Sequence, residues 1–332
     1  MGNNVAELVR MRPFTGSDAD YAALVEIANA AFPDNSDTVE EARHWDHARP
    51  AHCVNERWLV ERDRQVVAVA EYFHVPWMFH PRKFFINLAV HPNWQGRGIG
   101  RYCYDTLMAA LIERHQPLQV RANCREDQTH SQRFLTRRGF REEMRTWESR
   151  LDLQTFDPTP FADAPMRVVA QGFTICNLSE WLARGDSARR LLYEAIMEMR
   201  VDVPQPEPFT PADFATWEQS VFNNPKLYPE GYFLALNGNE IAAVSQLWKH
   251  AEADVLMTGI TATRRNYRRR GLALALKVHS LIFAKAAGYR EVRTYNATTN
   301  RPMLSINEAL GFVKQPAWIE FVKDVVDLVM VI

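Results

Sequence analysis

NLAVHPNWQGRGIGRYCYDTLMAAL (87–111) and ITATRRNYRRRGLALALKVHSLIFA (260–284) follow one pattern twice in the same chain. Each starts with a short apolar or β-branched segment, passes through a polar turn into a loop of Arg and Gly, and enters an amphipathic helix. Each is followed by a Gly-Phe pair, Gly139-Phe140 and Gly311-Phe312. The loop glycines Gly98 and Gly271 are 173 residues apart, and the Gly-Phe pairs 172. Two features kept in step over that separation mark a duplicated domain.

The flanking sequence reads alike in both halves. In the first, 57–73 gives two strands around a polar turn and 81–90 a third. Residues 99–114 form a helix with Cys103, Leu107, Ala110 and Leu111 on one face. A strand over 117–124 and a short helix over 130–140, closed by Gly139, complete it. In the second, 231–248 is a hairpin turning at Asn237-Gly238. A strand over 254–261, a helix over 271–287 stopped by Gly288, a strand over 291–297 and a helix over 303–310 follow. Mixed sheet plus helices, twice, is an α/β (α+β mixed-sheet) fold in two tandem copies. QTFDPTPFADAP (154–165), with three prolines and no apolar periodicity, is the expected linker between domains 1–153 and 166–332.

Composition agrees with this reading and removes other classes. The chain has 332 residues, enough for about two domains of roughly 150 residues. With 39 basic and 40 acidic residues, it lacks the excess charge of a protein that neutralises nucleic-acid phosphates over a whole face. No apolar run reaches the roughly 18–20 residues of a membrane span. The start carries no apolar signal core, and Gly2 lacks the Ser or Thr that myristoylation wants where Ala6 stands. Cys53, Cys103, Cys124 and Cys176 are scattered singly, so they read as buried thiols of a reducing cytoplasm, with no metal site. The expected partner is a small molecule, with no nucleic acid and no membrane. The chain is expected to be a monomer with pseudo-dimeric halves, or a homodimer.

A Gly-rich loop alone is a weak signal, but Gln95-Gly96-Arg97-Gly98-Ile99-Gly100 lies between a strand and a helix start. Unpaired amides at the positive end of a helix suit a pyrophosphate, and glycine lets its oxygens approach the backbone. Arg268-Arg269-Arg270-Gly271-Leu272-Ala273 repeats the arrangement. No Gly-Lys-Ser/Thr follows, which disfavours nucleotide hydrolysis. The run RRNYRRR (264–270) could equally be a solvated loop or a local nucleic-acid patch, and its place at a helix start favours phosphates.

Val90-His91-Pro92 followed by Gln95 to Gly100 resembles motif A of the GNAT (N-acetyltransferase) superfamily, Gln/Arg-x-x-Gly-x-Gly/Ala. Arg268-x-x-Gly271-x-Ala273 meets the same signature, and each Gly-Phe pair resembles the close of motif B. The resemblance covers both halves and implies two copies of the acyl-CoA N-acyltransferase fold, with acetyl-CoA (coenzyme A) as cofactor. It implies that the amides of Gln95, Gly96, Arg97, Gly98, Ile99, Gly100 and Arg101 hold the pyrophosphate. Arg268, Arg269, Arg270, Gly271, Leu272, Ala273 and Leu274 would do so in the second half. Leu88, Ala89 and Val90, and Thr261, Ala262 and Thr263, would pair with the pantetheine arm. A bulge in each of those strands would splay the sheet and free an N–H for the thioester carbonyl. Asn300 would contact the cofactor arm, with Gln128 at its place in the first half.

The standard acid and base are missing. Where many family members have a tyrosine four residues before the motif B glycine, this chain has Leu135 and Asn307. Where an acidic base is common, it has Phe84 and Met257. The catalytic residues are thus unknown from sequence. Glu71, His74, His250 and Glu320 are candidate bases on predicted strands, and Asn307 is a poor candidate acid. Trp77, Met78 and Phe79, in a predicted loop, are candidates for an acceptor pocket, and Trp318 and Phe321 read as core. The expected activity is transfer of acetyl from acetyl-CoA directly to the amine of a small molecule, with the second half slightly favoured as the working one. The alternatives are a non-catalytic acyl-CoA-binding or scaffold protein with degenerate sites, and a protein-modifying acetyltransferase.

Overall fold

The computed structural model describes residues 9–325. Gly2 and Ala6, and the apolar end 326–332, lie outside the described residues. The chain divides into two compact units, 9–143 together with 319–325, and 144–318.

The first unit opens with β1 (Arg10–Pro13), α1 (Asp18–Ala31) and α2 (Val39–His47). Ser17 caps α1 by accepting the Asp20 N–H, and Thr38 with Glu41 forms a capping box on α2. Then come β2 (Asn55–Arg62), β3 (Gln65–Phe73), β4 (Lys83–Val90), α3 (Ile99–His115), β5 (Gln119–Arg125) and α4 (Thr129–Thr136). Strands β1 to β4 are antiparallel neighbours in chain order, whereas β4 and β5 run parallel. Leu59, Val69 and Ala89 face α1 on one side of this sheet, while Val60, Ala68, Ala70 and Phe84 face α3 on the other. Strands covered on both faces read in sequence as near-continuous apolar runs, as VVAVA (66–70) does.

The chain enters the second unit along β6 (Arg141–Asp152). α5 (Ala164–Ala170), β7 (Phe173–Asn177), α6 (Leu178–Leu182), α7 (Ala188–Arg200) and α8 (Phe214–Phe222) follow. Next are β8 (Leu227–Asn237), β9 (Glu240–Lys249), β10 (Val255–Thr263), α9 (Leu272–Ala286), β11 (Glu291–Ala297), α10 (Arg301–Ala309) and the short β12 (Val313–Lys314). The sheet order is β6-β11-β10-β9-β8-β7, with β12 also on β6. Leu234, Leu236 and Val244 pack under α6 to α8, and Phe233, Ala235 and Ala243 under α5 and α9.

The last strand, β13 (Trp318–Asp324), lies beside β5 and, from Ile319 on, belongs to the first unit. Its Ile319 and Phe321 complete the first core. Glu320, read from sequence as a second-half residue, is therefore a first-unit residue. Residues 154–165, read as a linker, lie within the second unit and bury Phe156 in its core.

Candidate active site

In the first unit β4 and β5 are paired only at Lys83–Gln119, Phe84–Val120 and Phe85–Arg121. Beyond Phe85 they part, while β4 keeps an unbroken register with β3 out to Ala68–Val90. The backbone groups of Ile86 to Val90 that would have met β5 are left to face a cleft. That cleft, about 550 Å³, is lined by Ile86 to Val90 on one side and Ala122 to Cys124 on the other.

The start of α3 closes one end of the cleft. Gly98 is its N-cap with φ 83°, a left-handed conformation that favours glycine, and no side chain caps the helix. The amides of the first turn therefore have no intrahelical partner and sit at the positive end of the helix dipole. Gly96 also has a left-handed φ of 73°, and a Cβ there would meet nothing within 4 Å. Gln95, Gly96, Gly98, Ile99, Gly100 and Arg101 line the cleft with Leu88, Ala89, Val90 and Gln128. Arg97 does not: its guanidinium lies 4.7 Å from the Trp94 ring centre and donates to the Asn93 carbonyl. Arg138, Asn123 and His130, which the sequence reading passed over, also line the cleft. None of the described lining residues is acidic.

The second unit repeats this with differences. β10 and β11 are paired only from Val255–Glu291 to Met257–Arg293. A cleft of about 630 Å³ is lined by Thr261 to Thr263, Arg268, Arg269, Gly271 to Leu274 and Asn300. Gly271 caps α9 with φ 83°, but Arg269 takes the place of Gly96 and holds a left-handed φ of 64°. Arg270 is not among the lining residues and lies near Phe173 and Tyr267. Asp202, just past α7, lines this cleft and binds Arg265 at 2.6 and 2.8 Å and also Arg268. The two guanidiniums hold its carboxyl far below the usual range, Arg265 first. Arg264 pairs with Glu198 and Glu240. Three of the five arginines of the basic run, Arg264, Arg265 and Arg268, are thus paired with carboxylates within the unit.

The expected strand bulges appear in one unit. β4 has none against β3, whereas β10 shifts register against β9 between Thr258 and Thr261. Gly259 and Ile260 there oppose Gln246 alone, and a Cβ on Gly259 would lie 2.4 Å from the Gln246 Oε1. That oxygen accepts the Ile260 N–H at 3.0 Å. The amide the bulge frees is thus already engaged. Asn300 caps α10, its Oδ1 accepting the Met303 N–H.

The candidate catalytic residues are not gathered at either cleft. Glu71 is buried; it accepts from Arg57 Nε at 2.7 Å and from Asn87 Nδ2 at 3.0 Å. Asn87 lines the cleft, so Glu71 stands one residue behind it. His74 Nδ1 accepts the Val54 N–H at 3.0 Å and its ring packs on Phe84; burial lowers its pKa to about 4. His250 accepts the Glu252 N–H and is likewise lowered to about 4, by burial and then Arg293. Neither imidazole lines a cleft. Glu320 pairs with the buried Arg121 at 2.8 Å. Asn307 is buried and donates to Asn296 at 2.7 Å. Leu135 lines the first cleft, where it offers no proton. Trp77 is exposed and Phe79 packs on His52 and His74, so that loop does not line the clefts.

The sequence profile of the Acetyltransferase (GNAT) family matches residues 21–140. That match falls within the first unit, and the chain as a whole has the fold of a tandem GNAT protein. A tandem GNAT protein from the clavulanic acid biosynthesis pathway superposes with a TM-score of 0.73 at 16% identity, over 95% of this chain and 98% of that one. A GCN5-related N-acetyltransferase from Sphaerobacter thermophilus gives 0.67 at 21% identity, over 95% of each chain. A fungal GCN5-related glucosamine N-acetyltransferase region gives 0.68 at 13% identity, over 95% of this chain and 38% of that one. At these identities the likeness is one of fold. No curated protein matches the chain in sequence. GNAT domains generally bind acetyl-CoA, and the first cleft fits it: an unpaired strand edge, uncapped amides at Gly98 and, among the described residues, a lining free of carboxylates. Among the described residues, no helix is long and apolar enough to cross a membrane.

Proposed function

We propose that the protein is an acetyl-CoA-dependent N-acetyltransferase that acetylates an amine of a small molecule, and that the first unit does the work. The observation carrying this is the pairing of the parted β4 edge with uncapped α3 amides in a cleft that no acidic residue lines among the described ones. Acetyl-CoA supplies an acetyl group activated as a thioester, open to direct attack by an amine. In this reading the amides of Gly98 to Arg101 bind the pyrophosphate, with Arg138 adding positive charge at the lining. The exposed groups of Leu88, Ala89 and Val90 bind the pantetheine arm as an added strand does.

Leu135 has no proton to give, so the leaving thiolate is protonated by solvent; a thiol of pKa about 8.5 tolerates that. Glu71 already accepts from Arg57 and Asn87 and serves to position Asn87 rather than to take a proton. The amine then loses its proton to water. In the second unit, Asp202 on the loop arginines and Gln246 on the bulge amide favour a structural role. All four cysteines are free and buried, which supports a reducing, cytoplasmic setting.

Calorimetry with acetyl-CoA tests the assignment. One site is expected in the native chain, abolished by Gly98→Val and kept in Gly271→Val. Retention in Gly98→Val overturns it. The engaged Glu71 and the leucine at 135 also favour a second reading, acyl-CoA binding without turnover. Thiol release with an amine panel decides between the two.

A further inference from the structure

A second cavity in the first unit, about 380 Å³, is lined by Phe14, Asp46, Arg49, Cys53, Asn55 and Arg57, among others. Two of these residues hold buried side-chain atoms with no hydrogen-bond partner in the protein: Nε of Arg49, a donor, and Oδ1 of Asn55, an acceptor. The orientation of the Asn55 amide is fixed because its Nδ2 donates to Asp46 at 3.0 Å.

The two arginines of the cavity differ. Arg57 is matched by Asp46 at 3.0 Å and Glu71 at 2.7 Å. Among the described residues, Arg49 makes one hydrogen bond, to the His74 carbonyl at 3.0 Å, and no ion pair. Asp46 cannot supply one readily, since its oxygens already accept from Tyr21, Asn55 and Arg57. Asp46 and Glu71 act on Arg49 only at a distance, and burial outweighs them; a partly buried guanidinium with no carboxylate in direct contact among the described residues, beside a cavity, is a place for an anion, and the planar fork suits a carboxylate. The orphan Asn55 oxygen asks for an N–H or O–H on the same molecule.

The cavity adjoins the cleft through one row of side chains. Arg57, Glu71 and Asn87 are direct cross-strand neighbours on β2, β3 and β4, and Glu71 accepts from both others. Two strand spacings separate Arg57 from Asn87, about 10 Å. We infer that this cavity binds an extended amino-carboxylate of dipeptide size. Arg49 holds its carboxylate, Asn55 accepts an internal N–H, and its amine lies toward Asn87 and the cleft. That the amine is the acetyl acceptor rests on the transferase reading; that the molecule binds does not.

Calorimetry on the full chain without acetyl-CoA tests this, using glycylglycine and glycylglycinamide as probes. Glycylglycine is expected to bind roughly ten- to a hundredfold more tightly than the amide. Arg49→Gln is expected to erase that ratio, while Asn55→Ala weakens both probes and keeps the ratio. Thermal unfolding and acetyl-CoA binding of each variant report whether it is folded. Equal binding of the two probes to the native chain, or a ratio unchanged in folded Arg49→Gln, overturns the inference. So does acetyl-CoA binding with no binding of either probe. If glycylglycine binds and acetyl-CoA does not, the transferase reading falls and the cavity assignment stands.

Discussion

The Gln95 side chain donates to the Val90 carbonyl at 3.0 Å, and Arg268 makes the same link to Thr263 at 3.2 Å, each tying a loop to the end of its strand. The first residue of the motif thus has a side-chain task besides any its amide performs. Removing the donor frees the loop and unfixes the amides that follow. Gln95→Ala is expected to weaken acetyl-CoA binding about three- to tenfold, the worth of one modest hydrogen bond. Gln95→Arg, copying the second unit, is expected to retain binding. Titration calorimetry on both variants checks this, and equal loss in the two would exclude the link to Val90 as the cause.

Asp202 gives the second cleft the acidic lining residue that the first lacks among the described residues. Its carboxylate engages Arg265 and Arg268, on the loop that leads into α9, and would repel a phosphate placed there. Asp202→Asn removes that charge and keeps the side-chain shape. The variant is expected to gain a second, weaker acetyl-CoA site visible as a rise in stoichiometry. A stoichiometry unchanged at saturating ligand would mean that something else, such as the left-handed Arg269, blocks the loop.

The duplication was legible because glycine is required for a reason the backbone shows: Gly98 and Gly271 share φ 83° at equivalent helix starts. The strands and long helices were legible from their apolar runs. What escaped the sequence depends on contacts between distant residues. Nothing local says that the last strand returns to β5, since a strand's own pattern does not name its neighbour. Asp202 lies 66 residues before Arg268, and no spacing rule joins them. Glu71 looked like a free base because its two donors, Arg57 and Asn87, are on other strands. His74 and His250 looked available because burial cannot be read from a single histidine.

With Leu135 in the cleft and Glu71 held by two donors, the pH–rate profile should report the amine alone. The value of kcat/KM is expected to rise with pH and level off, with no falling limb below about pH 9.5. Glu71→Gln is expected to leave the rising limb where it is, while lowering stability by about 2 kcal/mol through the weakened hydrogen bond to Arg57, which keeps Asp46. Steady-state rates from pH 6 to 9.5 and urea unfolding check the two halves of this prediction. A bell-shaped profile would reveal an acid, and a limb lost in Glu71→Gln would make that carboxylate the base.

Lys277, on α9 of the second unit, is buried with its Nζ lacking a hydrogen-bond partner, 5.0 Å from the Phe312 ring centre. Burial lowers its pKa from 10.5 to about 7. Below pH 7 both folded and unfolded chains carry the charge, and the folded one bears the whole desolvation cost. Between the two values the unfolded chain binds the extra proton, so this group makes the fold more stable as pH rises. Lys277→Met keeps the length of the side chain and removes the charge. It is expected to stabilise the second unit by on the order of 3 kcal/mol at pH 6, with the gain shrinking toward pH 10. Denaturant unfolding of both proteins at pH 6 and pH 9.5 checks this. A gain of the same size at both pH values would show that the ammonium carries no burial cost, and a loss at pH 6 would show that it is paired.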